Sequence, residues 1–170
     1  MSTNTNTPTD STATPIDWRW SNFAGLSSHD VYAILALRQD VFVLEQQSLF
    51  RDIDGIDLQS DHLLGWHDEG ARRTLAAYLR CVPPGVHGPH VCLQRVLCAR
   101  STRGTGLGKQ LFAAGVERAL RQYPMQAIEI SAQQYLEKFY GGFGFAIDSE
   151  PYLEDGIWHC RMRREANVKG

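Results

Sequence analysis

The sequence has almost no excess charge of either sign. Seventeen Lys and Arg stand against nineteen Asp and Glu, a net charge of −2 over 170 residues. That near-neutrality removes the electrostatic footprint of a nucleic-acid binder, so no nucleic-acid partner is expected. No run of about five like charges marks a basic or acidic tail. No apolar stretch approaches the roughly 18 residues of a membrane helix, and no membrane partner is expected either. The opening MSTNTNTPTDSTATP lacks both the basic and the apolar region of a secretory signal. The expected compartment is therefore the reducing cytoplasm. Cys81, Cys92, Cys98 and Cys160 are expected as free thiols, since no C-x-x-C spacing occurs among them. A metal site is missing too. A calcium loop counted from Asp52 in DIDGID needs glycine sixth and glutamate twelfth, and Ile53–Asp57 and Leu63 do not supply them in register. The pair His87 and His90 in HGPH sits in a Pro/Gly turn without partner ligands, so no metal is expected.

What is present suits one folded domain: 43% hydrophobic and 21% charged residues. Residues 1–15, rich in Ser, Thr, Asn and Pro, are expected to be a disordered tail, 16–165 a single domain, and 166–170 a C-terminal tail. Ile16, Trp18 and Trp20 alternate with polar partners and predict a first strand. Ser27 with Asp30 forms a capping-box pattern that opens a helix through about Gln46. An acidic loop follows over 47–61. HLLGWHD and TLAAYLRCV read as two strands around a turn near Glu69-Gly70, and HVCLQRVLCA as a long apolar strand. Leu107, Leu111, Phe112, Val116, Ala119 and Leu120 recur at helical spacing as far as about Gln122. MQAIEISA is a further strand, QYLEKFYGG a short helix, and two strands close the chain around Glu154-Asp155-Gly156. This order predicts a mixed sheet with helices on its faces.

The stretch TRGTGLGKQL packs Gly104, Gly106 and Gly108 into five positions behind Arg103, at the door of the second helix. A helix N-terminus leaves backbone N–H groups unpaired and carries partial positive charge. Bare glycine amides let a phosphate approach the backbone, and Arg103 and Lys109 add charge at either edge. The dinucleotide fingerprint G-x-G-x-x-G fails because Lys109 stands where its last glycine belongs. The P-loop fails twice, at Arg103 and at Gln110. What fits is R-x-x-G-x-G as Arg103, Gly106 and Gly108.

With the apolar strand before it, this pattern resembles the acyl-CoA cradle of the GNAT acyltransferase superfamily. KFYGGFGF matches that superfamily's short helix carrying a tyrosine, Tyr140, shortly before Gly144-Phe145. VFVLEQQ, DIDGID, HLLGW and YLEDGIWHCRM are together similar to its ElaA branch, over roughly residues 16–163. The resemblance implies an α/β (α+β) fold: a mixed, mostly antiparallel sheet of about six to seven strands, flanked by helices and splayed where acyl-CoA binds. It implies an N-acetyltransferase that moves the acetyl group of acetyl-CoA to the amine of a small molecule or peptide, by direct attack on the thioester. Val96, Leu97 and Cys98 would line the splayed edge and pair with pantetheine. Arg103, Gly104, Thr105, Gly106, Leu107, Gly108 and Lys109 would take the pyrophosphate. Gln133 would either face the pantetheine amides or cap its strand. Cys98 is a poor nucleophile candidate, since nothing adjacent in sequence would stabilise a thiolate.

Transfer to an amine needs an acid for the departing thiolate and a base for the incoming ammonium. Tyr140 is the candidate acid, because a phenol near 10 is matched to a thiol near 8.5. Glu45 and His62 are candidate bases, with His159 as either base or acceptor contact. On the first helix Val31, Leu35, Arg38, Phe42 and Glu45 fall on one stripe, two charges in an apolar row. Arg38 and Phe42, together with Arg95 on the face shared by Leu93 and Leu97, are expected on the acceptor side. Asp54 and Asp57 could attract a cationic amine. Two alternatives stay open. One is an autoinducer synthase making acyl-homoserine lactones, which shares an R-x-x-V-F helix, a D-x-x-D loop and a strand arginine. The other is a non-catalytic CoA-binding module. An unbroken cradle favours CoA over an acyl carrier protein as donor. Exposed sheet edges allow a homodimer.

Overall fold

The computed structural model describes residues 15–166. Apart from their boundary positions, the expected tails over 1–15 and 166–170 lie outside the described residues. Strand β1 (Asp17–Asn22) is followed by helix α1 (Ser28–Arg38), hairpin β2 (Asp61–Glu69) and β3 (Arg72–Val82), and then β4 (Val91–Cys98). Helix α2 (Leu107–Gln122), β5 (Ile128–Gln133), the short α3 (Glu137–Gly141), β6 (Ala146–Ile147), β7 (Tyr152–Glu154) and β8 (Ile157–Arg164) complete the chain. The sheet runs β1-β2-β3-β4-β5-β8-β6, with β7 also paired to β8. It has eight strands rather than six or seven, because β6 and β7 are two short strands along the same edge of β8. Every pairing is antiparallel except β4 with β5.

Two cores sandwich the sheet. On one face Leu111, Phe112, Val116 and Ala119 of α2 pack against Leu79, Leu93, Ile130 and Met162. On the other, Ile34, Leu37 and Val41 pack against Leu64, Trp66, Tyr78 and Leu97. Strand β3 feeds both cores, which is why Leu75–Leu79 is an unbroken apolar run rather than an alternating one. Helix α2 approaches the sheet at Gly115, where a Cβ would lie 2.6 Å from a Leu79 methyl. Each large aliphatic side chain so buried contributes roughly 1.5–3 kcal/mol.

The capping box at α1 forms as expected: the Ser27 hydroxyl accepts from the Asp30 amide and the Asp30 carboxylate accepts from the Ser27 amide. Burial alone would raise the Asp30 carboxyl, but Arg19 and Ser27 hold it down at about 2. The helix does not continue as an α-helix to Gln46. From Gln39 to Glu45 it widens into a π-turn, with the Gln46 amide donating to the carbonyl of Val41 at 3.0 Å. The buried line is Ile34, Leu37, Arg38 and Val41, not the stripe through Val31, Leu35 and Glu45. None of the described helices is long and apolar enough to cross a membrane.

Candidate active site

The parallel strands β4 and β5 pair only at Val91–Ile128 and Cys92–Glu129. Beyond those pairs they part, and a cleft of about 340 Å³ opens between them. Its walls include Phe42, Arg95, Val96, Gln133, Tyr140 and His159, six residues that the sequence had already marked.

A bulge shapes the β4 wall. Tyr78 faces Leu97 and Arg80 faces Gln94, so Leu79 alone opposes both Arg95 and Val96. Arg95 takes a φ of 54° to make room. The extra residue inverts the alternation: Leu93 packs in the α2 core and Leu97 in the α1 core. Arg95 therefore interrupts no shared face. Its guanidinium lies 5.8 Å and 5.1 Å from the Phe42 and Phe50 ring centres, and its Nε donates to Asp52 at 2.6 Å.

The stretch expected to cradle a phosphate is bare. Gly104 and Gly106 have φ of 78° and 86°, and a Cβ at either would meet nothing within 4 Å. Backbone conformation, not crowding, requires glycine there. Gly106 is the N-cap of α2, and no side chain caps the helix. The Lys109 and Gln110 amides turn back to the Gly106 carbonyl at 3.1 and 3.2 Å, so the amides of Leu107 and Gly108 stand at the open end. The Thr105 hydroxyl donates to the Thr102 carbonyl at 2.7 Å and holds the loop. Arg103 folds across the mouth, bonding the Cys98 carbonyl at 3.1 and 3.2 Å and Glu45 at 2.7 Å. Glu45 thus stands at the cradle and not at the acceptor end, because the π-turn swings it there. Burial pushes the Cys98 thiol up to about 11 against the pull of Arg103, which disfavours the thiolate.

Three more expectations are corrected. Arg38 is fully buried: its guanidinium bonds Asp52 at 2.7 Å and Asp57 at 2.9 and 3.0 Å, and is not a substrate contact. Asp54 and Asp57 are likewise engaged, by Arg80 at 2.8 Å each, so they are not left free for a cationic amine. His62 is 1% exposed. Its Nε2–H donates to the Asp57 carbonyl at 3.0 Å, leaving Nδ1 to accept from the Tyr78 hydroxyl at 2.7 Å. Burial lowers its pKa, yet no substrate can reach a ring with both nitrogens engaged inside the core. Arg80 was missed by the sequence reading. It is fully buried, also bonds Gln94 at 2.6 Å, and leaves its Nε without a partner. The available signal was a lone arginine inside the apolar run AAYLRCV.

Tyr140 is 8% exposed and lines the cleft, its ring edge-on to Phe112 at 4.9 Å and Phe139 at 5.1 Å. Burial pushes its hydroxyl up to about 12. Ser131, Glu154 and His159 also line the cleft, and of these only His159 had been singled out.

An open anion cradle leading along a splayed strand to a buried phenol is the layout of an acyl-CoA-dependent transferase. The Acetyltransferase (GNAT) domain model matches residues 80–166. The chain is 41% identical to a UPF0039 protein of Synechocystis over 147 residues, covering 86% of this chain and 94% of the relative. It is 38% identical to protein ElaA of Escherichia coli over 152 residues, covering 88% and 97%. A crystal structure of an acyl-CoA N-acyltransferase from Pseudomonas aeruginosa superposes with a TM-score of 0.82 at 39% identity, covering 88% of this chain and 99% of that one. The chain belongs to the GNAT acetyltransferase family, in its ElaA-like branch, and is an acyltransferase that uses acyl-CoA. The acyl-homoserine lactone synthase BjaI, at 19% identity and a TM-score of 0.68, shares the fold.

Proposed function

We propose that the protein transfers an acetyl group from acetyl-CoA to the amine of a small molecule. The carrying observation is the uncapped N-terminus of α2, open above Gly104 and Gly106, a few residues beyond the strand β4 whose Arg95 and Val96 line the cleft that holds Tyr140. Residues 103–109 would take the pyrophosphate, and the edge of β4 at Val96–Cys98, freed by the splay, would pair with pantetheine like an added strand. Gln133, on the opposite wall, would hold a pantetheine amide. A cleft of about 340 Å³ that must house the thioester and the acceptor together favours a short acyl group.

The acceptor nitrogen attacks the thioester carbonyl carbon, a C–N bond forms, and the C–S bond breaks with its electron pair passing to sulfur. The hydroxyl of Tyr140 meets that sulfur. Burial pushes that hydroxyl up to about 12 and disfavours the phenolate that complete proton transfer would leave. Tyr140 therefore acts by donating a hydrogen bond to the developing thiolate and remains a neutral phenol across the working pH range.

The synthase alternative is relieved of one objection and loses one support. BjaI is described as CoA-dependent, so an unbroken cradle does not by itself separate the two activities. The residues that suggested the alternative, Arg38, Asp54, Asp57 and Arg95, bond one another here or share Asp52. Calorimetry without added metal tests the proposal. Wild type should bind acetyl-CoA, and folded Gly106→Asp should lose at least about tenfold, since a carboxylate would stand where a phosphate belongs. Unchanged affinity in the variant would refute the cradle assignment. Release of CoA in the presence of small amines, and not without them, tests the transfer.

A further inference from the structure

Sheet register gathers a polar group on one face of the cleft. Gln133, His159 and Tyr152 are neighbours across three strands, and Glu154 lies two residues beyond Tyr152 on the same face. The β7–β8 turn is a tight one, with Asp155 and Gly156 at φ of 48° and 79°, so the position of Glu154 at the rim is fixed by backbone. Ser131 steadies it further: its hydroxyl pairs with the Tyr152 hydroxyl at 2.6 Å and with the Glu154 carboxylate at 3.3 Å.

His159 is the second half of the arrangement. Its Nδ1 lies 2.9 Å from the Ile157 carbonyl, which can only accept, so the proton of the neutral ring sits on Nδ1. The lone pair is thereby placed on Nε2. The ring stacks on Tyr152 at 6.1 Å and lines the cleft beside Gln133. A base and a carboxylate at one acceptor nitrogen would work against each other. A carboxylate beside an ammonium holds its proton on, whereas attack requires the proton to leave. The backbone instead sets them on successive rows of one face, Tyr152 paired with His159 and Glu154 with Ile157, rows about 7 Å apart along the strand.

We propose that the acceptor carries two cationic amines separated by a few methylenes, with Glu154 binding one and His159 deprotonating the other. The inference rests on the amine-acetyltransferase reading. The proton of the reacting ammonium passes to His159 Nε2, the freed lone pair attacks the thioester, and the thiolate departs against Tyr140. The second ammonium stays charged against Glu154.

The experiment measures CoA release from acetyl-CoA with putrescine and with butylamine, alongside calorimetry of putrescine binding to wild type and variants. Putrescine should be the better acceptor by about tenfold in kcat/KM, the worth of one charge-assisted hydrogen bond. Glu154→Gln should erase that advantage by raising the KM for putrescine about tenfold, weaken putrescine binding alike, and bring the two amines to similar kcat/KM. His159→Gln should lower kcat with both amines by about 10²- to 10⁴-fold while acetyl-CoA affinity and melting temperature hold. Equal use of the two amines, or a Glu154→Gln variant that treats them as wild type does, overturns the two-cation assignment while leaving the acetyltransferase reading standing. A His159→Gln variant with wild-type kcat removes the base. Tight acetyl-CoA binding with no release to any amine overturns the underlying reading, and this inference with it.

Discussion

The cleft has a charged cluster at each end, and the two are built on opposite terms. At the α1 end, Arg38, Arg80 and Arg95 interlock with Asp52, Asp54 and Asp57, two of the arginines being fully buried. At the hairpin end, Glu154 is exposed, and its carboxylate accepts a long hydrogen bond from Ser131. His159 keeps its Nε2 for the cleft once Nδ1 is engaged. The first cluster has used its charges on itself, binding the loop before β2 to α1, β3 and β4. The second has charge left for something else. Charge in a cleft thus marks a ligand site only where the structure has not already consumed it.

Breaking the first cluster should have the largest effect. Arg80→Ala leaves Asp54 and Asp57 short of a partner, and losing one member of a buried ion network costs about 3–5 kcal/mol. Thermal melts should show a fall of roughly 10 °C or more, whereas Glu154→Gln at the other end should stay within about 2 °C. A mild Arg80→Ala phenotype would mean that the network is not the fastening described here. Next comes Tyr140→Phe, which keeps the aromatic packing against Phe112 and Phe139 and removes one hydrogen bond to sulfur. Steady-state kinetics should give a kcat lower by roughly 10- to 100-fold with acetyl-CoA affinity near normal. A kcat within twofold of wild type, with chemistry rate-limiting, would leave Tyr140 a packing residue.

Acid sharpens the contrast further. Asp54 would be raised by burial, but its bonds to Arg80 and the Ile56 amide hold it at about 2, as Arg19 and Ser27 hold Asp30. Both are depressed below 3.8, so their stabilisation is fully present above about pH 4 and is lost as pH falls through 2. Equilibrium unfolding should weaken across that window in wild type, with less loss in Asp30→Asn, already deprived of its charge. The smallest effect is expected at the cradle. Glu45→Gln releases Arg103 from a partly exposed pair worth up to about 1 kcal/mol, and calorimetry should find acetyl-CoA bound a few-fold more tightly. Weaker binding would mean that Glu45 positions Arg103 for phosphate rather than competing with it.

Much of this was legible in the sequence where chemistry is written in backbone requirements. Gly104 and Gly106 are glycines because their φ angles demand it, and the apolar spacing of α2 survives intact in the structure. Capping at Ser27 and Asp30 was readable for the same reason. Two local irregularities were not. The π-turn over Gln39–Glu45 is carried by ordinary helix formers, and the bulge at Arg95 places a non-glycine residue at positive φ. Neither leaves a glycine or proline as a mark, and both arise from what the chain packs against. Their consequence was a shift of register, which moved Glu45 to the cradle and split Leu93 from Leu97. Arg80 was hidden differently, since a buried arginine is explained by partners 14, 23 and 26 positions away.

Strand β7 lends no side chain to either core, and it is held by three pairs to β8. A segment placed so can be rewritten at little thermodynamic risk: new side chains at Tyr152, Leu153 or Glu154 disturb no packed interior. The Arg–Asp fastening has no such freedom, because each of its members answers to at least one other. If the hairpin meets the acceptor as proposed, change in acceptor preference, whether by descent or by an engineer's library, has its easiest route there, while the opposite end of the cleft stays fixed.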